Sequence, residues 1–243
     1  FLYMITAAPF MLWLDAPRFL SAIVTLGIAN PPEPLYVLLA HPFIYLPFGS
    51  IIFKIQLFSA LTAAITLLVL YRLILLVLLA VAGKGGRGDQ GKKSLAALFG
   101  TVTLAFSYQF WSQAQNVENF ILVTLIAVAT LYLTLTVNSK KGMLINLSLV
   151  ALILGLATGT NPVIASLVPA ILWMMWVKRR YLTIPGLIMW VIVGVVAIIA
   201  IHLYIPLRAQ ANPFLNYWRA TTFERVWNAS TGADLNVYVP SLG

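Results

Sequence analysis

The chain has 243 residues, of which 61% are hydrophobic and only 9% are charged. A soluble domain carries about 25% charged residues, so this composition excludes a globular protein that meets water on every side. The net charge of +9 comes from basic residues concentrated in short segments between apolar runs, which is typical of membrane proteins and does not predict nucleic-acid binding.

The apolar runs predict about seven membrane-spanning helices, because each crossing of a bilayer needs about 20 apolar residues. In chain order these spans are 1–14, 51–82, 95–111, 119–138, 143–159, 162–177 and 183–205. Residues 1–206 therefore form one transmembrane module. Residues 207–243 form an extracytoplasmic segment that we expect to be truncated. The predicted fold class is an all-α integral membrane protein.

Residues 15–50 form a long outer loop between the first two spans. It contains two helix-like pieces, 16–28 and 34–46, on either side of the sequence Asn30-Pro31-Pro32-Glu33-Pro34. Proline interrupts a continuous helix, and each piece is too short to cross a bilayer. We therefore predict two interfacial or re-entrant helices in this loop.

The distribution of charge predicts the orientation of the chain. With seven spans, the basic segments 84–93, 139–142 and 178–181 all lie on one side, which the positive-inside rule makes cytoplasmic. The opposite side receives five of the six acids, namely Asp15, Glu33, Glu118, Glu224 and Asp234. The sequence thus predicts a multi-pass protein with Asp15 outside the cytoplasm.

Two carboxylates next to predicted spans are candidate catalytic residues. Asp15 directly follows the first span, where it could act as a general base toward a hydroxyl or cap the helix that begins at Ala16. Glu118 lies in a polar cluster between two spans, where it could line an outer cavity or favour the following helix through the helix dipole. His41 and His202 are the only histidines and cysteine is absent, which excludes a His-rich or thiolate metal site.

Two further polar residues are candidates for binding. Arg208 follows the last span, where its guanidinium suits a phosphate group or anchors the chain at the interface beside Tyr204. Asn161 precedes Pro162 between two spans, where it could bind a ligand or cap the next helix.

Four stretches together resemble a family of bacterial membrane proteins of unknown function, related to protein O-mannosyltransferases in the GT-C glycosyltransferase superfamily. The stretches are Asp15–Ala60 (with Asn30-Pro31-Pro32 and Pro34-Leu35-Tyr36), Phe110–Glu118, Gly155–Gly159 with Pro169, and Tyr204–Pro213. They follow the family order and cover nearly the whole chain.

The resemblance implies a GT-C-like module of seven spans with two interfacial helices in the first outer loop. Such enzymes move a sugar from a polyprenyl-phosphate donor to an acceptor outside the cytoplasm. Asp15 then matches the expected base, Glu118 a second family carboxylate, and Arg208 a family arginine to which we assign the donor phosphate. Asn30, Tyr36 and Asn161 match further positions that we assign to substrate binding.

The resemblance also implies partners and a location. We expect membrane lipids, a polyprenyl-phosphate sugar as donor substrate and other membrane subunits as partners, with no nucleic acid and no certain cofactor. The expected location is the bacterial inner membrane.

Three polar positions depart from the family pattern. The family shows Asp-Ser-Gly-Glu-Phe where this chain has Asp15-Ala16-Pro17-Arg18-Phe19, so the second acid is replaced by a base. Asn30 and Asn161 stand where the family has histidine. These changes leave a second hypothesis open, in which the chain is a degenerate relative that serves as a scaffold or accessory subunit. A transporter is a weaker third hypothesis, because the spans contain few polar groups.

Overall fold

A computed structural model describes residues 1–7, 15–81 and 87–231 of the chain. In these ranges the regular structure is helical, and the β structure is limited to an isolated parallel bridge between Ile28 and Asn216. The α-helices are α1 (Leu2–Ile5), α2 (Ala16–Thr25), α3 (Pro34–Ala40), α4 (Ile51–Val81), α5 (Arg87–Ala105), α6 (Tyr108–Gln115), α7 (Phe120–Leu135), α8 (Lys140–Ala157), α9 (Val168–Val177), α10 (Ile184–His202), α11 (Tyr204–Gln210) and α12 (Phe223–Thr231). Short 3₁₀ helices cover His41–Tyr45, Pro162–Leu167 and Arg179–Tyr181.

Several of these helices have the length and composition of membrane spans. Within the described ranges, three qualify alone, at Ile51–Val81, Lys140–Ala157 and Ile184–Gln210. The pair α6 and α7 makes a fourth if it is one span bent by 114°. The protein is therefore an all-helical membrane protein, as predicted. The count of seven spans stays a prediction, and residues 8–14 of the predicted first span lie outside the described ranges.

The structure corrects three predicted boundaries. The predicted span 95–111 is interrupted after Ala105, and α6 begins with its own cap, since the Ser107 hydroxyl accepts a hydrogen bond from the Phe110 amide. The predicted basic loop 84–93 is already helical from Arg87 onward, whereas residues 82–86 lie outside the described ranges. Pro206 does not end the last span, because it lies in the first turn of α11, where a missing N–H costs nothing.

The helix α10 shows why this fold needs a membrane. Its apolar side chains Ile188, Val191 and Val195 are each about half exposed, although they belong to the most hydrophobic segment of the chain. Water would penalise such a surface, whereas lipid tails solvate it. The exposed apolar faces therefore mark the lipid-facing side of the bundle.

The contact between α8 and α10 depends on small residues. A side chain added at Gly155 would place its Cβ 2.7 Å from the Ala197 Cβ and 2.7 Å from the Gly194 carbonyl oxygen. The two backbones therefore approach closely, which is a common way for helices to associate where lipid removes the hydrophobic driving force.

We expect Gly155→Val to push α8 away from α10, because the added side chain has no room. The strain should cost about 1–3 kcal/mol of stability and lower the thermal midpoint of the purified protein. The matched control is Gly91→Val, since an added Cβ at Gly91 meets no described atom within 4 Å. Equal midpoints for the two variants, measured in the same detergent, would contradict this packing.

The two helix-like pieces of the segment 15–50 form part of the main core. Phe19 of α2 and Tyr36 of α3 are both nearly inaccessible, and their rings meet edge to face at 5.0 Å. Tyr36 also packs against Phe58 of α4, with ring centroids 5.8 Å apart. The prediction of two helices is confirmed, with bounds of Ala16–Thr25 and Pro34–Tyr45, and their location at the membrane surface stays a prediction.

Two of the predicted basic segments lie at the same end of the bundle. The Lys178 ammonium donates hydrogen bonds to the carbonyl oxygens of Leu135 and Val137, the latter at 2.7 Å. Lysine is favoured at such a place because it satisfies carbonyls left open at the end of a helix. This contact joins the end of α9 to the end of α7, as the predicted alternation requires.

Candidate functional site

Asp15 lies at the exposed start of the segment 15–50. Its side chain is 59% exposed, and its Oδ1 atom lies 3.4 Å from Nε of Arg18, one turn further along α2. Asp15 occupies the N-cap position of α2, but its side chain makes no capping hydrogen bond. The carboxylate therefore does not cap the helix, although Asp15 holds the N-cap position, and the backbone there has helical rather than extended angles (φ −93°, ψ −18°).

Glu33 is the buried carboxylate of the same region. Only 6% of its side chain is exposed, and its Oε1 atom lies 3.9 Å from Nη2 of Arg18. The Asn119 amide, at the start of α7, donates a hydrogen bond to the other carboxylate oxygen. Glu33 thus joins α2, the start of α3 and the start of α7.

Burial raises the pKa of Glu33 to about 7. The loss of solvation outweighs the opposing effects of the Arg18 charge and of the Asn119 hydrogen bond. The nearby carboxylates of Asp15 and Glu118 raise the pKa further. Glu33 therefore exchanges its proton near neutral pH, where an ordinary glutamate is fully ionised.

Glu118 completes a group of three carboxylates around Arg18. It accepts a hydrogen bond of 3.0 Å from the Asn116 side chain, and the Asn116 carbonyl oxygen accepts one of 2.7 Å from Ser59 of α4. Burial is the main cause that raises the pKa of Glu118, with a further contribution from Asp15. The polar segment before α7 therefore faces the start of α2, and Asp15 and Glu118 lie close enough for their charges to interact.

Two other predicted binding residues lie in different surroundings. Tyr36 is completely buried between Phe19 and Phe58, and burial raises the pKa of its phenol. The ring belongs to the core, and the role of Tyr36 as a substrate contact stays a prediction. Asn30 instead lines a cavity of about 370 Å³, together with Arg18 and the exposed Tyr217.

Asn161 caps a helix, as one of its two interpretations predicts. Its side-chain oxygen accepts a hydrogen bond of 3.0 Å from the Val163 amide, and Pro162 begins the 3₁₀ helix that follows. This arrangement satisfies an amide that would otherwise be left open at the helix start.

Arg208 binds the opposite end of α2 from Asp15. Its Nε donates to the Leu26 carbonyl oxygen at 2.8 Å, and Nη2 donates to that of Thr25 at 3.0 Å. A helix of ten residues is about 15 Å long, so Arg208 and Asp15 cannot face each other across one small cavity. The arginine satisfies the open carbonyls and the dipole at this end of the helix, and its assignment to the donor phosphate stays a prediction.

A large apolar groove lies beside these elements. It has a volume of about 700 Å³ and runs between the 3₁₀ helix Pro162–Leu167, helices α10 and α11, and α12. Thr158 and Pro162 form one wall. Between them, Gly159 accepts a hydrogen bond from the Leu35 amide at 3.0 Å, so this wall backs onto the start of α3, next to Glu33.

Sequence reasoning missed the role of Glu33 and Asn119 and interpreted Arg18 only as a departure from the family pattern. The available signal is that Glu33 is one of only six acids in the chain and stands among prolines in an apolar loop. Such a charge needs a partner when the loop is buried. Glu33 has two such partners, Arg18, 15 positions earlier, and Asn119, 86 positions later.

We expect the stability of the protein to fall as the pH rises from about 4.5 to about 7. The raised pKa means that the folded state holds the Glu33 proton up to about pH 7, whereas an ordinary glutamate loses it near 4.5. The difference in pKa contributes on the order of 3 kcal/mol to the stability of the folded state. This contribution is fully present below about pH 4.5 and is lost by about pH 7.

Glu33→Gln should remove much of this pH dependence, because glutamine stays neutral. The measurement is the thermal midpoint across this pH range for wild type, Glu33→Gln and Glu224→Gln, the last being an exposed acid on α12. The same slope in wild type and Glu33→Gln would contradict the assignment.

Comparison with known families gives a match over most of the chain. The family described as "Protein O-mannosyl-transferase TMEM260 N-terminal domain" matches residues 15–184. The matched region begins at Asp15 and includes Arg18, Glu33 and Glu118. Comparisons with curated proteins and with solved structures gave no match.

Proposed function

The chain belongs to the family of the protein O-mannosyl-transferase TMEM260 N-terminal domain, and from this membership we propose that it is a GT-C-type membrane glycosyltransferase. In this proposal it moves a sugar, mannose by analogy with the family name, from a polyprenyl-phosphate donor to an extracytoplasmic protein hydroxyl. The relation to O-mannosyltransferases follows from the family, whereas the GT-C module, its seven spans, the donor and the acceptor belong to the proposal.

One observation carries the proposal. The matched region begins with an exposed carboxylate, Asp15, beside the half-buried Arg18, which also pairs with the buried Glu33. A general base must reach the proton that it removes, and Asp15 is the most accessible of the three grouped acids. A buried carboxylate whose pKa is raised lies near it, and such shifted groups are common at functional sites.

The proposed reaction is a substitution at the anomeric carbon of the sugar. The acceptor hydroxyl oxygen forms a bond to this carbon, while the bond from the carbon to the donor phosphate breaks. Asp15 takes the hydroxyl proton, and polyprenyl phosphate leaves with the bonding electrons. Glu118, whose charge interacts with Asp15, orients the acceptor in this proposal.

The apolar groove would hold the isoprenoid chain of the donor. Its volume of about 700 Å³ and its apolar lining suit a hydrocarbon. The wall at Thr158–Pro162 backs onto α3, so a chain bound there would bring its phosphate toward the outer loop.

The proposed location is the bacterial cell membrane, with Asp15 on the outside. Support comes from the grouping of Asp15, Glu33 and Glu118 at one site and from the contact of Lys178 with the end of α7, which agree with the charge alternation of the sequence.

We expect Asp15→Asn to reduce sugar transfer by at least about 100-fold, the usual contribution of a general base. Folding should be unaffected, because the side chain is mostly exposed. The measurement is transfer from polyprenyl-phosphate mannose to serine- or threonine-containing peptides by the purified full-length protein, with Glu224→Gln as the control. Full activity in Asp15→Asn would contradict the assignment.

Arg208→Lys separates two roles of the arginine. If Arg208 mainly holds the end of α2, the variant should lose one hydrogen bond and about 1 kcal/mol of stability, while the KM for the donor is unchanged. The proposed contact with the donor phosphate instead predicts a KM that rises by about tenfold or more. Thermal midpoint and donor KM, measured on the same preparation, separate the two.

A second candidate function is supported by the same structure. Tyr36 lies in the core, Asn161 caps a helix and Arg208 holds the end of α2, so three predicted binding residues have structural partners. A degenerate GT-C relative that acts as a scaffold or accessory subunit would show this pattern. In that case neither wild type nor Asp15→Asn would bind donor, and the protein would purify with other membrane subunits.

A further inference from the structure

Arg18 is shared between two carboxylates and is bound tightly by neither. Its Nε lies 3.4 Å from Asp15, and its Nη2 lies 3.9 Å from Glu33. Strong charge-assisted hydrogen bonds measure about 2.7–2.9 Å, so both distances are those of a loosely held cation. The guanidinium is therefore placed where a small change in either charge would move it.

Two other contacts keep Arg18 between the carboxylates. Its Nη1 donates to the Pro31 carbonyl oxygen at 3.2 Å, and the guanidinium carbon lies 4.4 Å from the centre of the Phe19 ring. The side chain lines the cavity of about 370 Å³ beside Asn30, and 20% of it is exposed. Asp15 and Glu33 are the two carboxylates with which it forms ion pairs.

The two carboxylates differ in the way that such a switch requires. Asp15 is mostly exposed, whereas Glu33 is buried and exchanges its proton near neutral pH. The groups that face Glu33 are Asp15 and Arg18 at α2, Tyr36 on α3, and Glu118 and Asn119 before α7. Among these charges only Arg18 contacts both Glu33 and Asp15.

We propose that Glu33 is a positioning residue that acts through Arg18, so that its proton determines how firmly Arg18 holds Asp15. When Glu33 is ionised, it shares the guanidinium, and the Asp15 carboxylate is left available to the acceptor hydroxyl. When Glu33 is protonated, Arg18 turns to Asp15 and engages it. This inference rests on the proposed function only in taking Asp15 as the base.

The first test is the pH profile of sugar transfer by the full-length protein. In wild type, the transfer rate should rise about tenfold as the pH increases through about 7, the range in which Glu33 loses its proton. Glu33→Gln resembles the protonated form. Its kcat should therefore stay low and show no rise through about pH 7, and its KM should change little. A purely structural role would lower the thermal midpoint and leave the shape of the pH profile unchanged.

The second test does not require activity. A water-soluble carbodiimide with a small amine labels accessible carboxyl groups, and mass spectrometry gives the labelling rate of Asp15 at each pH. We expect a step in this rate near pH 7 in wild type and in Glu224→Gln. The step should be absent from Glu33→Gln and from Arg18→Gln, because either change breaks the connection between the two carboxylates.

The outcomes separate this inference from the proposed function. If wild type transfers no sugar under any condition, the proposed function fails, and the labelling of Asp15 still decides the connection. A labelling step that persists unchanged in Glu33→Gln or Arg18→Gln would overturn the inference, whether or not the protein transfers sugar. Because glutamine stays neutral and can still accept the hydrogen bond from Asn119, Glu33→Gln is expected to fold.

Discussion

The burial of one carboxylate organises the segment 15–50, the loop between the first two predicted spans. Removing the Glu33 side chain from water is costly, and the structure offsets this cost with Arg18 on one side and Asn119 on the other. These partners belong to α2 and to the start of α7, so satisfying one charge fixes three segments relative to one another. The loop is thereby held against the bundle by polar contacts as well as by the packing of Phe19 and Tyr36.

The sequence predicts those features that depend on neighbours along the chain. The long apolar run of α4, the two helices flanking the prolines, and the cap at Asn161 follow from local composition and spacing. The exposed acid at the start of the loop is recognised because it directly follows an apolar run. The resemblance to the family then predicts a chemical role for Asp15.

Contacts between distant segments are the part that a single sequence does not reveal. From the sequence alone, Arg208 can be interpreted equally well as a phosphate ligand or as an interfacial anchor. The sequence does not reveal its actual partners, because the carbonyls that it binds are more than 180 positions away. Tyr36 matches a family motif, yet its surroundings make it a core residue. The relation of Arg18 to Glu33 is hidden for the same reason. Arg18 stands where the family has an acid, and Glu33 comes three residues after Asn30. In the structure these two residues form one ion pair.

The contacts of Arg208 with Thr25 and Leu26 have a consequence for biogenesis. The end of α2 is synthesised 182 residues before the arginine that completes it, and the bridge from Ile28 to Asn216 closes still later. At about 5–20 residues per second, the ribosome needs roughly 10–40 seconds to supply these partners. The segment 15–50 therefore reaches its final conformation only after partners more than 180 residues further along the chain have been made. During that interval the membrane or a chaperone must shield the apolar side chains of α2 and α3 from water.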